Sequence, residues 1–143
     1  MKHYSYRILS FDDVTERRAH RKEFLLRAEI VPTEKKHSSV EKSAITQIMI
    51  TVSCSESQIT SWAAQDRNPE LAEPENLYKV LHEYGRQYLE EKLREGETAG
   101  SFELRLFWKG PEPCRFNPAV IEIDHIRWYD VEVSRPIGFR IQQ

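Results

Sequence analysis

Pro74–Gly96 reads PENLYKVLHEYGRQYLEEKLREG. Leu77, Leu81, Tyr84 and Tyr88 recur at i, i+4, i+7 and i+11, the spacing of one face of a helix with 3.6 residues per turn. Pro74 suits the first turn, where its missing N–H would be an orphan anyway. Gly96 suits the left-handed position just past a helix end, and Lys92 and Arg94 place positive charge at the negative end of the dipole. The spacing therefore predicts a helix bounded by Pro74 and Gly96. Val80 flanks the apolar face on one side; Gly85, Tyr78, Leu89 and Leu93 extend it on the other. Lys79, Glu83, Arg86, Glu90 and Arg94 form the polar strip. An arc of about half the circumference exceeds what a helix on one open sheet needs. A second covering surface is expected, either another helix of this chain or another subunit. Gly85 costs about 1 kcal/mol of helix propensity relative to Ala; a close backbone approach would account for it, and so would a glycine of no structural consequence.

Before this helix the chain alternates. Tyr4, Tyr6 and Ile8 against Ser5, Arg7 and Leu9 read as a first strand; Phe24, Leu26, Ala28 and Ile30 as a second, stopping at Pro32; Ile48, Ile50, Val52 and Cys54 as a third. Asp12 to Arg21 reads as a polar loop or one helical turn, and residues 33–43 as a flexible loop. Ser55 with Gln58 makes a capping box ahead of Ile59, Trp62 and Ala63, so Glu56 to Asp66 is a short amphipathic helix. After Gly96 the period returns to two: Phe102, Leu104, Leu106 and Trp108 face one way, Glu103, Arg105, Phe107 and Lys109 the other. Lys109 to Pro118, with three prolines and a glycine, excludes regular structure. Ile121 and Ile123, Ile126 and Trp128, then Val131 and Val133 change phase twice, which one half-buried strand cannot do. Bulges near Asp124–His125 and Tyr129–Asp130, or two faces buried in turn, would account for it. Phe139 and Ile141 fit a short final strand.

These elements predict a single α+β domain over residues 1–143. Its sheet has five to six strands, mainly antiparallel, in the order β-β-β-α-α-β-β, with one long and one short helix on one face. The opposite face would carry Met49, Phe107 and Trp128 among charges, more apolar than a solvated face requires. A partner is expected there, most simply a second copy.

Length and composition narrow the function classes. With 143 residues the chain can bury a core without disulfides or metals. A net charge of −2 disfavours a general nucleic-acid binder, and acidic neighbours offset the one basic cluster, Arg17, Arg18, His20, Arg21 and Lys22. No apolar run approaches the ~20 residues of a membrane span, and no signal peptide is evident. A cytoplasmic location with reduced thiols at Cys54 and Cys114 is expected.

Chemistry-bearing motifs are sparse. The histidines (His3, His20, His37, His82, His125) show no metal-ligand spacing, so no metal is predicted, and no phosphate loop, nucleophile elbow or dinucleotide fingerprint implies a cofactor. Glu122 with Asp124, and Asp130 with Glu132, share strand sides as acid–base pairs would, and equally as a solvated face would. Asp124–His125 at the suspected bulge is the place where chemistry would be least surprising. His82 reads as a structural histidine and Cys54 as an inert core thiol. The reading is a non-enzymatic interaction protein, a homodimer, using an aromatic sheet face or a sheet–helix groove on a protein partner. The alternative is a small-molecule protein or enzyme with a pocket lined by Tyr84, Tyr88, Trp108, Trp128 and Tyr129, with His125 as a polar group.

Overall fold

The computed structural model of the chain describes residues 3–16, 20–33, 45–65, 73–107 and 117–134. The elements are β1 (His3–Asp13), β2 (Arg21–Pro32), β3 (Thr46–Ser55), α1 (Glu56–Gln65), α2 (Pro74–Arg94), β4 (Gly100–Leu106) and β5 (Tyr129–Glu132), with a short 3-10 turn at Pro118–Val120. They follow the expected order. The sheet runs β4-β3-β2-β1-β5.

It is a mixed sheet, which corrects the expectation of a mainly antiparallel one at β4. The pairs β1–β2, β2–β3 and β1–β5 are antiparallel, whereas β3 and β4 are parallel, with Ile50 opposite Phe102 and Val52 opposite Leu104. The reason lies in the connection. A parallel pair needs a long crossover, and α1 and α2 supply it. A sixth strand has no counterpart among the described residues. Phe139–Ile141 falls outside them, as do most of the 33–43 loop, Trp108, Cys114 and the side chains of Trp62 and Ala63.

Both helices start, and α2 stops, where local chemistry directs. Ser55 Oγ accepts the Gln58 N–H at 3.2 Å at the head of α1. Pro74 opens α2, and Gly96 closes it at φ 94°. The Gly96 N–H donates to the Leu93 carbonyl and the Glu97 N–H to the Lys92 carbonyl. That double return bond satisfies carbonyls that a helix end leaves open, and glycine adopts the required φ without strain.

The core forms between α2 and the inner sheet face. Tyr6, Ile8, Phe24, Leu26, Ile30, Ile48, Ile50 and Val52 are buried against Leu77, Leu81, Leu89 and Leu93, with Ile59 of α1 joining them. β1 contains a feature its alternation did not announce. The register slips between Ile8 and Ser10. This bulge at Leu9 brings Phe11 onto the core side, where it stacks on Phe24 with centroids 5.1 Å apart. The strand therefore continues to Asp13, where a polar loop or helical turn was expected. Tyr78 of α2 donates its hydroxyl to the Phe11 carbonyl at 2.9 Å, pinning helix to strand.

The buried face of α2 is rotated from the Tyr84–Tyr88 line toward Gly85. A Cβ at Gly85 would lie 3.0 Å from Val52 Cγ2 and 3.1 Å from Leu26 Cδ1. The glycine thus marks a close helix–sheet approach. Gly85→Ala gains about 1 kcal/mol of propensity but must push a β-branched side chain on a central strand, a cost of about 1–3 kcal/mol. The expected outcome in urea unfolding is a net loss of about 1 kcal/mol, relieved when Val52→Ala is added. A variant more stable than the parent would show that Val52 retreats freely.

Candidate functional site

Among the described residues, a second surface over α2 comes from within the chain and is not a helix. It is a return segment, Asn117–Trp128, which leads into β5. Asn117 Oδ1 accepts the Ala119 N–H at 3.0 Å and starts the 3-10 turn. Asp124 Oδ1 accepts the Ile126 N–H at 2.9 Å and bends the chain at His125–Ile126. The segment is irregular up to Trp128, and only Tyr129–Glu132 pairs with β1. The phase change read at Asp124–His125 is therefore an aspartate-stabilised bend before the strand, in place of a bulge within it. Glu122 and Asp124 are both exposed, and Asp124 serves as a turn former.

Two clusters hold this segment to the helix. In the first, His125 lies against His82, ring centroids 5.5 Å apart and 24° from parallel. His82 is 3% exposed and meets the edge of Phe11 at 5.2 Å. Both nitrogens of His82 and Nε2 of His125 are buried without a hydrogen-bond partner. Burial, helped by the neighbouring His125, lowers the pKa of His82 to about 4, so it is neutral near pH 7. No group of three or more His, Cys, Asp or Glu side chains among the described residues is arranged to hold a metal.

The second cluster centres on Arg86. Its guanidinium grips Glu83 through Nε at 3.1 Å and Nη2 at 2.6 Å. Nη1 reaches Glu90 Oε2 at 2.8 Å and donates to the Tyr6 hydroxyl at 3.2 Å. Tyr6 in turn donates to Glu90. Burial and the Glu90 carboxylate hold the Tyr6 phenol far above its ordinary pKa. Burial opposes the charge on Glu83, but the hydrogen bonds from Arg86 and Gln87 outweigh it and keep that carboxyl below the usual range. The polar strip is thus only 17–21% exposed at Glu83, Arg86 and Glu90. Tyr129 stacks on Tyr6 at 5.1 Å, with Arg86 5.3 Å and Arg127 4.7 Å from its ring. Glu83, Arg86, Arg127 and Tyr129 line an open groove of about 400 Å³ beside Val120 and Ile121.

Five of the six candidate site residues are described, and they separate into two sets. His125, Trp128 and Tyr129 lie along the return segment and the start of β5 but meet different neighbours: His125 stacks on His82, Tyr129 on Tyr6, and Trp128 lies beneath Arg7, whose guanidinium is 4.9 Å from its ring and bonds Glu29 at 2.9 Å. Tyr84 and Tyr88 lie on the opposite flank of α2, beside Leu104 of β4. Trp108 lies outside the described residues. The space between α2 and the sheet, where an aromatic pocket was considered, is occupied at Gly85 by Val52, Leu26 and Phe11. Cys54 is 2% exposed, and burial pushes its thiol up to about 11, so little thiolate exists near neutrality.

The return segment also carries the most exposed apolar side chain among the described residues, Ile126 at 80%, together with Val120 at 72% and Trp128 at 42%. Comparison of the chain with protein-family models, with curated proteins and with solved structures returned no match. The site's own chemistry therefore carries the functional argument. No described helix is long and apolar enough to cross a membrane.

Proposed function

We propose that this chain is a small cytoplasmic, non-enzymatic interaction protein that acts as a homodimer and docks a protein partner at the β5 edge of its open sheet face. The observation that carries the reading is the exposure of Ile126, at 80%, and Trp128, at 42%, two residues apart at the entry to β5. Stretches of this kind on a folded surface mark contact sites. Tryptophan and arginine are both enriched among the residues that dominate binding energy at protein interfaces. Glu122, Asp124 and Arg127 supply a polar rim. The two clusters beneath hold the segment in place before a partner arrives, which lowers the ordering cost of binding. Met49 sits half-buried on the same open face, and Phe107, 73% exposed, follows β4 at the far edge.

The small-molecule alternative has less behind it. The grooves beside α2 are open and rimmed by charges, whereas a typical ligand site is enclosed and mainly apolar.

The test is affinity capture from the native cytosol with the parent chain and with Trp128→Ala/Ile126→Ser, quantified side by side. A specific protein whose recovery falls about tenfold or more in the variant supports the reading. Recovery of the same proteins in equal amounts by both would contradict it, and a thermal shift with one metabolite class would favour the alternative.

A further inference from the structure

β4 pairs with β3 on one side, and no described strand pairs with its other edge, where a strand leaves backbone groups open to a further one. Its sequence, Gly100-Ser-Phe-Glu-Leu-Arg-Leu106, has a property that bears on what covers that edge. A two-fold axis through Leu104 and perpendicular to the sheet sets Leu104 opposite its own copy. Phe102 then falls opposite Leu106, and Glu103 opposite Arg105. All the apolar residues meet on the inner face and both ion pairs on the outer. Shifting the axis by one residue either way sets Glu103 against Glu103 or Arg105 against Arg105, which is repulsive. One register is thus selected by charge and by face together.

From this self-complementarity we infer that a second copy of this chain pairs with β4 antiparallel about Leu104, joining two five-stranded sheets into one. This rests on the homodimeric part of the function proposed above and names its seam. Such an interface is isologous, so each favourable pair occurs twice. In the single chain Phe102, Leu104 and Leu106 are only half-buried. Glu103 and Arg105 lie side by side at 3.4 Å with side chains 67% and 58% exposed, open to partners across the seam. Tyr84 and Tyr88 of α2 border an open groove of about 410 Å³ together with Leu104. The seam extends the apolar flank of α2 toward its copy, giving a use to the side of the helix that the return segment leaves uncovered. The open face at Trp128, at the opposite sheet edge, stays accessible in the pair.

The experiment is light scattering coupled to size exclusion across a concentration series of the full chain, with Glu103→Arg, Arg105→Glu and the double exchange Glu103→Arg/Arg105→Glu. The parent is expected at twice the 16.9 kDa chain mass. Each single variant sets two like-charge pairs across the seam and weakens dimerisation about tenfold or more, while the double exchange restores opposite charges and returns it to within about threefold of the parent. Circular dichroism confirms that each variant is folded, and either single variant reads the same pair. A parent dimer indifferent to both single exchanges, or a double exchange that stays monomeric, overturns the seam but leaves the homodimer standing. A parent that is monomeric throughout overturns both.

Discussion

Replacing Arg86 with Met is expected to destabilise the chain by about 3 kcal/mol, the largest effect of any single surface-reaching side chain on α2. Methionine keeps the apolar stem and removes only the guanidinium. Glu83 and Glu90 would then share a site that is 17% exposed at each carboxylate, with no positive charge between them. Tyr6 would keep its bond to Glu90 but lose the donor that stabilises the shared oxygen. An isolated exposed ion pair contributes well under 1 kcal/mol. Removing one partner of a largely buried network costs about 3–5 kcal/mol, because the remaining charges stay desolvated; the residual exposure here places the expectation at the low end. In thermal unfolding this corresponds to a drop of roughly 10 °C for a chain of this size. Adding Glu83→Gln and Glu90→Gln should recover most of the loss. A loss below about 0.5 kcal/mol would mean that the ladder behaves as a solvated one. Because Arg86 also lies over Tyr129, the variant should loosen the return segment and increase hydrogen exchange at Arg127–Val131 before the chain unfolds.

The second large effect is acid lability at His82. The group is neutral in the folded chain, with a pKa of about 4 against 6.5 when unfolded. The unfolded chain therefore binds the extra proton between those values, and stability falls as pH drops from about 6.5 toward 4. The full loss is about 3 kcal/mol, at 1.36 kcal/mol per unit of displacement. His82 faces Phe11 from β1, Tyr78, Glu83 and Arg86 along α2, and His125 from the return segment. Glu83 favours protonation, but burial, His125 and Arg86 oppose it. His82→Phe removes the titrating group and its two unpartnered nitrogens while retaining an aromatic ring against Phe11. Urea midpoints measured from pH 7 to pH 4.5 should fall steeply for the parent and less so for the variant. Parallel curves would show that His82 is protonated in the folded chain without penalty. Carboxylates such as Asp13 and Glu83, held below their usual pKa, contribute to acid loss in both proteins and cancel in the difference.

What could be read in advance depended on how local its cause was. Pro74 and Gly96 bounded α2 because first-turn proline and left-handed glycine act within a few residues, and β2 and β3 followed from uninterrupted alternation. The bulge at Leu9 was missed although the phase step from Ile8 to Phe11 is visible; the same kind of step was recognised at residues 121–133, where it proved to be a bend. The parallel placement of β4 depends on a partner fifty residues away, yet two helices between β3 and β4 are the signature of a crossover. At the site, His125, Trp128 and Tyr129 share one short segment because they are neighbours in the chain, but each meets a different neighbour. Tyr84 and Tyr88 stay apart from them because Gly85, and not the tyrosine line, faces the sheet. Arg86 reads as part of the polar strip of α2, where charges at i, i+3 and i+4 pair with one another. Its cover, the return segment, comes from a distant part of the chain.

The account turns on Ile126 and Trp128 being contact residues. A photo-crosslinking amino acid placed at position 126 and activated in the living cell reads that contact directly. The expected result is one discrete adduct heavier than the chain by the mass of a different protein, lost when Trp128→Ala is added. Only adducts between two copies of the chain, or a diffuse background unchanged by Trp128→Ala, would contradict it.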